Sequence, residues 1–584
     1  MKNNKKRTKN SKGRTLSPEQ LEKRAKYYLK RKIVKIFTDA GFHYYPTNDQ
    51  TMQIGYRKVE VDALFVYENI WLLCEDTVHN NKHIREHIRT KNEAFGQIKS
   101  NLSSFITELT KLFPERASDL QKYDCSRIKI FGLYIPKEEV PLSAEDYLLF
   151  SELKFVQPKT LNYFQWITQC IKHSAKNEVF RFLGLRNGDI GPVSSSREST
   201  SITAPIIYPK SFTGIKNDVR IVSFMMSAAD LLNTCFVMRK DNWAESIWLY
   251  QRLIDKNKIK SIRAFLETKG EAFFNNIIVG LPDQVRFCDE KGEYKTIDKI
   301  GDLEGNCTLT FPKEMNSICV IDGQHRIFAH YESGIDSKQE QTISKLRKEL
   351  HLLVTGLVFP PEMSVEERAR IQSEIFVDIN SNAKPVPQNV LLHIRRMQKP
   401  IADDSLAQFV VEKLNKQGVF QNMLQISDLE GGKIKTASIV RFALRYLVTA
   451  TPAEGKQSLF TYWNGDKDAF KKLNGTAIEE YVSYCASIIN QYFKAIKTCF
   501  IDQWSDEQSK MLSVVVVNGF IFALTRQLSI NGVKDYNYYY NLFKPWNCDF
   551  SKEIFPYTSS QYRKFSTQIL EEAFKIAPSI IDTI

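Results

Sequence analysis

The sequence lacks several features that would assign it to a special class of protein. Its ten cysteines are scattered, with no CxxC pair and no His/Cys cluster at zinc spacing. It contains no run of 18 or more apolar residues, so no transmembrane helix is expected. Its first residues contain no apolar segment of the kind found in secretory signals. These absences argue against a disulfide framework and a zinc knuckle, and they predict a cytoplasmic protein with reduced thiols.

Acidic residues are also missing from the first 14 positions, which hold seven Lys and Arg residues. This segment therefore supplies half of the net charge of +14. We predict that residues 1–16 form a disordered basic tail, which is either simply solvated or touches phosphate backbones without specificity. The remaining positive charge is compatible with a nucleic-acid partner but does not require one.

The length of 584 residues predicts two to four domains. Residues 17–190 follow an α-β-β-α-β pattern, and the Ser-rich stretch at 191–204 is the best linker candidate. Residues 205–395 alternate short apolar strands with helical segments, and helical periodicity dominates residues 396–584. The predicted fold class is therefore a multidomain α/β (α+β) protein with a mainly α-helical C-terminal region.

The most informative motif follows a buried strand, "SICVI", and precedes a helix-like stretch that Gly334 is expected to close. It consists of Asp322, Gly323, Gln324, His325 and Arg326. A strand-loop-helix junction presents backbone N–H groups to anions, and Gly323 lets a ligand approach the backbone closely. The Arg326 guanidinium could donate two hydrogen bonds to a phosphate group. The Asp322 carboxylate could bind Mg²⁺ or accept a proton from water. The alternative is a buried polar turn with an internal Asp–Arg pair.

This Asp-Gly-Gln-His-Arg string resembles the signature of the DGQHR-domain proteins. That group includes DndB of the DNA phosphorothioation systems and DpdB of the deazaguanine DNA-modification systems. It is similar in turn to the ParB/sulfiredoxin superfamily, whose corresponding loop grips the phosphates of a nucleotide. The resemblance implies a ParB-like α+β domain at 205–395 that binds ATP or another nucleoside triphosphate with Mg²⁺.

Two further stretches resemble the same group. "LYQRLIDKNKIKSI" matches its opening motif, and "EIFVDINSNAKP" matches its Phe-x-x-Ile-Asn segment, which follows a helix capped by Ser364 and Glu367. The resemblance therefore implies nucleotide contacts from Gln251, Arg252, Asn380, Asn382 and Lys384. For the two asparagines, simple helix termination is the alternative.

One residue departs from the sulfiredoxin pattern. Sulfiredoxin chemistry needs a cysteine at the position that Gln324 occupies here, so repair of sulfinic acids is not expected. Nucleotide binding, with or without hydrolysis, remains. Asp322 and Arg326 are the predicted catalytic residues, whereas His325 is either a phosphate donor or a structural histidine.

The N-terminal region resembles the PD-(D/E)XK nuclease fold, as found in restriction endonucleases. Asp62 and Glu75 match its two metal-binding carboxylates, but Thr77 stands where the fold has a lysine. A lysine from the following helix could replace it, and the candidates are Lys82, Lys91 and Lys99. An active nuclease, a degenerate nuclease fold and an unrelated α/β domain are the three alternatives.

Three functions are therefore predicted. The first is a nucleotide-binding protein, predicted to be an ATPase, that acts with DNA in a bacterial DNA-modification or phage-defence system. The second is a non-enzymatic, DndB-like DNA-binding regulator, and the third is a metal-dependent nuclease gated by nucleotide. The expected partners are DNA and proteins of such a system, with no membrane and with an oligomer left open.

Overall fold

The structure is a computed structural model that describes residues 17–78, 83–193, 199–203, 205–215, 218–239, 251–273, 275–288, 292–295, 307–381, 399–425 and 434–581. The chain divides into two units. The first comprises residues 1–245 and 253–368, and the second comprises residues 246–252 and 369–584. The fold is mixed α/β with a helical C-terminal region, which confirms the predicted fold class.

The N-terminal part of the first unit has seven helices and seven strands among the described residues. The helices are α1 Pro18–Asp39, α2 Ile84–Ser100, α3 Leu102–Leu112, α4 Ala117–Leu120, α5 Ala144–Leu149, α6 Pro158–Ile171 and α7 Lys176–Leu183. The strands are β1 His43–Tyr45, β2 Met52–Ile54, β3 Arg57–Val59, β4 Ala63–Tyr67, β5 Ile70–Thr77, β6 Lys129–Pro136 and β7 Leu153–Phe155.

Five of these strands form one sheet in the order β1-β4-β5-β6-β7. Strands β4 and β5 are antiparallel, whereas β5, β6 and β7 run parallel to one another. Every residue of β5 is buried, as expected for a central strand with both faces covered. Helix α2 packs so closely on this sheet that a Cβ at Gly132 would lie 2.3 Å from the Phe95 ring.

The sequence predicts the start of α1 correctly but misses a helix break. The Ser17 hydroxyl and the Gln20 side chain form a reciprocal capping box, and Pro18 occupies the first helical position. The helical pattern of the sequence from Ile84 to Leu112 predicts one helix, but the structure has two, α2 and α3. At Asn101 the side chain donates to the Gln97 carbonyl, and this local bond competes with helix continuation.

The remainder of the first unit contains further strands and helices. The strands are β8 Ser199–Thr203, β9 Ile206–Ile207, β10 Arg220–Ser227, β11 Cys235–Phe236, β12 Ile277–Gly280, β13 Arg286–Cys288, β14 Tyr294–Lys295, β15 Thr308–Pro312, β16 Ile318–Asp322 and β17 His351–Val358. The helices are α8 Lys210–Thr213, α9 Ala228–Thr234, α10 Lys256–Lys269, α11 Gln324–Phe328 and α12 Lys338–Glu349. Helix α13 Val365–Ser381 begins in the first unit and continues into the second.

Strand β16, which leads into the DGQHR motif, is an inner strand of a six-stranded sheet with the order β11-β16-β12-β17-β10-β9. It pairs parallel to β11 and antiparallel to β12. A second sheet has the order β14-β13-β15-β8. The two regions of the first unit also bond to each other. The Trp166 indole donates to the Ile254 carbonyl at 3.0 Å, and Lys176 pairs with Glu332 at 2.5 Å.

The second unit is mainly helical. Its helices are α14 Asp403–Lys416, α15 Thr436–Ile439, α16 Arg445–Val448, α17 Leu459–Tyr462, α18 Lys467–Lys471, α19 Gly475–Cys499, α20 Ile501–Ser505, α21 Val514–Asn531, α22 Tyr536–Phe543, α23 Tyr562–Gln568 and α24 Pro578–Ile581. Two short strands, β18 Leu424–Gln425 and β19 Ile434–Lys435, pair in parallel. Within the described residues, α21 alone is long and apolar enough to cross a membrane, and most of it is buried inside the protein.

Candidate functional site

The DGQHR motif forms a tight turn between β16 and α11. Gly323 has φ +104°, a left-handed conformation that side chains disfavour. A Cβ there would lie 3.0 Å from Ile277 Cγ1 and 3.1 Å from Arg326 Nη2. Glycine is therefore required at this position by both backbone conformation and space.

Helix α11 is shorter than the sequence predicts, since it ends at Phe328 and not near Gly334. Beyond Phe328, two arginine side chains donate hydrogen bonds to backbone carbonyl groups that would accept from backbone N–H groups if the helix continued. Arg263 donates to the carbonyls of Ala329 and Tyr331 at 3.1 and 2.8 Å, and Arg347 also donates to Tyr331 at 2.9 Å. These long-range contacts leave no signal in the local sequence.

Asp322 and Arg326 form an ion pair across the turn. Arg326 Nη2 lies 2.8 Å from Asp322 Oδ2 and donates to the Asn276 carbonyl at 2.6 Å. The side chains of Arg326 and Asp322 are 17% and 33% exposed. The turn therefore contains the internal Asp–Arg pair that was the alternative to a ligand site. A third of the Asp322 side chain nevertheless remains accessible to solvent.

Gln324 and His325 point into the protein. His325 Nε2 accepts a hydrogen bond from the Asp255 N–H at 2.9 Å, and Asp255 caps α10. Gln324 Oε1 accepts from Arg239 Nε at 3.3 Å. Both residues therefore fix the loop to neighbouring elements. This contact supports a structural role for His325 over a role as a phosphate donor.

Arg239 is a site residue that the sequence gave no reason to select. It is completely buried, and its Nη1 donates to Glu178 Oε1 at 2.6 Å and to the Tyr163 hydroxyl at 3.0 Å. It thus connects the DGQHR loop with helices α6 and α7. A buried cation needs such partners, because leaving one charge of the pair unpaired in the interior is costly.

Four buried polar atoms around this loop have no hydrogen-bond partner among the residues that the structure describes. They are Arg326 Nε, Asn276 Oδ1, His330 Nε2 and Arg239 Nη2. Burial lowers the pKa of His330 to about 4, so the ring is neutral at pH 7. Unsatisfied groups are rare in protein interiors, and a cluster of them is typical of places that hold water or a ligand.

The other predicted nucleotide contacts belong to the second unit or lie outside the described residues. Gln251 and Arg252 fall in the second unit, where Gln251 is buried. The Asn380 side chain donates to the Phe376 carbonyl in the last turn of its own helix at 2.8 Å. Asn382 and Lys384 lie outside the described residues. Their roles as nucleotide contacts stay predictions.

The structure brings the two N-terminal carboxylates together with a third that the sequence did not single out. Asp62 precedes β4, Glu75 lies near the end of β5, and Asp76 follows it. Asp62 Oδ2 accepts from the Asp76 N–H at 2.9 Å. Lys91 Nζ, on α2, lies 2.8 Å from Glu75 Oε2, and His87 Nε2 lies 3.3 Å from Glu75 Oε1.

Only one of the three candidate lysines is seen at these carboxylates. Lys91 contacts Glu75, whereas Lys99 pairs with Glu152 at 2.5 Å. Lys82 lies outside the described residues. Helix α2 therefore supplies Lys91 next to Glu75, whereas β5 has Thr77 at the position where the nuclease pattern has a lysine.

Burial and mutual repulsion shift the titration of these acids. Burial, followed by the charge on Glu75, raises the pKa of Asp62. Burial and the charge on Asp62 raise the pKa of Asp76 to about 7, against the opposing influence of Lys26 and Lys30. Carboxylate oxygens are the type of ligand that Mg²⁺ and Mn²⁺ prefer. No group of three or more His, Cys, Asp or Glu residues at metal-binding positions occurs in the described part of the chain.

Fold and site thus define a mixed α/β protein with two polar centres, a glycine turn after a buried strand and a carboxylate cluster on a separate sheet. The DndB family, described as DNA-sulfur modification-associated, has a family model that matches residues 210–531, more than half of the chain. The chain therefore belongs to the DndB family. No curated protein and no solved structure gives a significant match. The family match includes the DGQHR turn but not Asp62 or Glu75.

Proposed function

We propose that this DndB-family protein binds a nucleoside triphosphate with Mg²⁺ at the DGQHR turn and acts with DNA in a DNA-sulfur modification system. The observation that carries the proposal is the group of unpartnered buried polar atoms around this one turn. Arg326 would neutralise phosphate charge, and Asp322 would accept a proton from the attacking water. Gln324 and His325 would hold the turn in shape through Arg239 and Asp255.

A calorimetric titration with ATP and Mg²⁺ tests binding. Arg326→Ala should weaken it about 10- to 100-fold, the range for hydrogen bonds to a charged group. Arg370→Ala is the matched control, because Arg370 makes an i,i+4 pair with Glu374 at 3.2 Å. No heat with any common nucleoside triphosphate would contradict the proposal.

Phosphate release separates an ATPase from a nucleotide-sensing regulator. Asp322→Asn retains an oxygen that can accept from Arg326 but loses the charge that takes up a proton. An ATPase should lose phosphate release in this variant while keeping nucleotide affinity within a few-fold. Wild-type protein that binds nucleotide and DNA but releases no phosphate would instead be a non-enzymatic regulator.

A second candidate function is a metal-dependent nuclease, and the contact between Lys91 and Glu75 favours it. Asp62 and Glu75 would hold the divalent cation, whose role when bound is to activate a water molecule. Lys91 would then stand in for the lysine missing at Thr77 and stabilise negative charge on the scissile phosphate.

Plasmid nicking with Mg²⁺ or Mn²⁺ tests this candidate. Nicking should be lost in Asp62→Asn, Glu75→Gln and Lys91→Gln. Lys99→Gln is the matched control, since Lys99 lies on the same helix but pairs with Glu152. Nicking that survives Lys91→Gln would assign the activity elsewhere, and no nicking by the wild-type protein would favour a degenerate nuclease fold.

A further inference from the structure

The first three turns of α1 extend beyond the packed core. Residues 18–24 and 26–28 are exposed, and the buried face of the helix begins only at Leu29. The sequence places apolar residues at helical spacing along α1, and this stripe extends onto the exposed half, where Leu21 is 43% exposed. At its N-terminal end, the stripe therefore does not pack into the core formed by the described residues.

This exposed half and the turn that follows it are strongly basic. Residues 18–32 contain six Lys and Arg residues and two acids, Glu19 and Glu22. A helical protein partner would be expected to meet a continuous apolar face, but here one leucine and two tyrosines are interspersed with cations. Such a charge pattern complements a phosphate backbone.

The two exposed tyrosines carry arginines on their rings. The guanidinium carbon of Arg24 lies 5.5 Å from the Tyr28 ring centroid, and that of Arg31 lies 5.6 Å from the Tyr27 ring centroid. Tyr27 and Tyr28 are nevertheless 58% and 54% exposed. Exposed aromatic rings among cations are the features that stack unpaired bases in single-strand-binding proteins.

The same helix approaches the carboxylate cluster. Helix α1 packs against β5, the strand that carries Glu75 and Asp76, and Lys26 and Lys30 lie one turn apart on this helix. A strand backbone held by these lysines would pass close to Asp62 and Asp76. The basic helix therefore lies beside the strand that carries two of the buried carboxylates.

We propose that α1, from Leu21 to Arg31, is a docking surface for single-stranded DNA. Tyr27 and Tyr28 stack on unpaired bases, and the basic residues hold the backbone. The proposal rests on DNA as the proposed partner, but it requires neither nucleotide binding nor cleavage.

Fluorescence anisotropy of labelled 20-nucleotide DNA with the full chain, at several salt concentrations, tests it. The double variant Tyr27→Ala/Tyr28→Ala should weaken single-strand binding about 5-fold or more, as loss of base stacking does, and change duplex binding less than 2-fold. The control is Tyr147→Ala, since Tyr147 is 52% exposed on α5.

Salt dependence tests the cations separately. Lys23→Gln/Arg24→Gln should lower the slope of log affinity against log salt by about 1.4, or about 0.7 for each lost phosphate contact. The control is Lys338→Gln/Lys348→Gln, which removes two exposed lysines from α12. All substituted residues are exposed, and circular dichroism would check that each variant is folded.

The outcomes distinguish this proposal from the broader one. If the wild-type chain binds DNA but the α1 variants match their controls, DNA remains the partner and α1 is not its surface. Equal losses for single strand and duplex would overturn base stacking. No wild-type binding to any DNA at low salt would overturn both proposals, and preferential binding of single-stranded RNA would overturn the assignment to DNA.

Discussion

Replacing Asp76 with asparagine should change how the stability of the N-terminal sheet depends on pH. The pKa of Asp76 is raised from 3.8 to about 7, chiefly by burial and then by the charge on Asp62. The folded state therefore holds a proton that the unfolded state has already released between about pH 4 and pH 7. Stability must fall as the pH rises through this window, because the folded state binds more protons than the unfolded state.

The magnitude follows from the size of the shift. Each pKa unit corresponds to about 1.4 kcal/mol, so a shift of this size is worth on the order of 2–4 kcal/mol once the coupling to Asp62 is shared between the two acids. Asp76→Asn cannot ionise. The free energy of unfolding of Asp76→Asn, measured relative to that of the wild-type protein, should therefore rise by on the order of 2–4 kcal/mol from pH 5 to pH 8.

Hydrogen–deuterium exchange of the β4 and β5 amides measures the effect locally. Opening free energies at pH 5 and pH 8, each corrected for the intrinsic exchange rate, give the pH dependence without requiring the whole chain to unfold in one step. Asp336→Asn, which changes an exposed aspartate of the same unit, is the control. If Asp76→Asn shifts stability equally at both pH values, the buried carboxyl is not the source of the pH dependence.

Three further predictions follow from the same two centres. Gly323→Ala should destabilise the first unit by at least about 1–2 kcal/mol, because φ +104° is left-handed and Ile277 blocks the Cβ; urea denaturation would show it, and an unchanged midpoint would contradict the geometry. Arg239→Met should cost about 3–5 kcal/mol by leaving the Glu178 charge buried and unpaired, and the double variant with Glu178→Gln should recover part of that loss. Mn²⁺ should raise the melting temperature of the wild-type protein but not of Asp62→Asn, and removal by EDTA should reverse the gain; equal gains in both proteins would exclude Asp62 as a ligand.

The sequence predicts the local features of this protein well. The N-cap at Ser17, the strand that ends at Asp322 and the capping box at Ser364 are all confirmed. Each depends on residues a few positions apart, so the information is contained in the local sequence. The DGQHR resemblance is likewise local, and the family match over residues 210–531 confirms the relationship to DndB.

Features that depend on distant residues were not predictable in the same way. The end of α11 is set by Arg263 and Arg347, and Gln324 is held by Arg239, which lies 85 positions away. The sequence offered three lysines as substitutes at the carboxylates, and only packing of α2 on the sheet identifies Lys91. Nothing in the local sequence "CEDT" indicates that the Asp76 carboxyl lies beside that of Asp62.

The buried position of Arg239 has a consequence for how this protein could be dissected. Its counter-charge, Glu178, and its hydroxyl partner, Tyr163, both precede the segment that defines the family. A fragment that starts at residue 205 would retain the cation and discard both of its partners. The segment shared with relatives is therefore not a self-sufficient module here, and the N-terminal region acts as part of its interior.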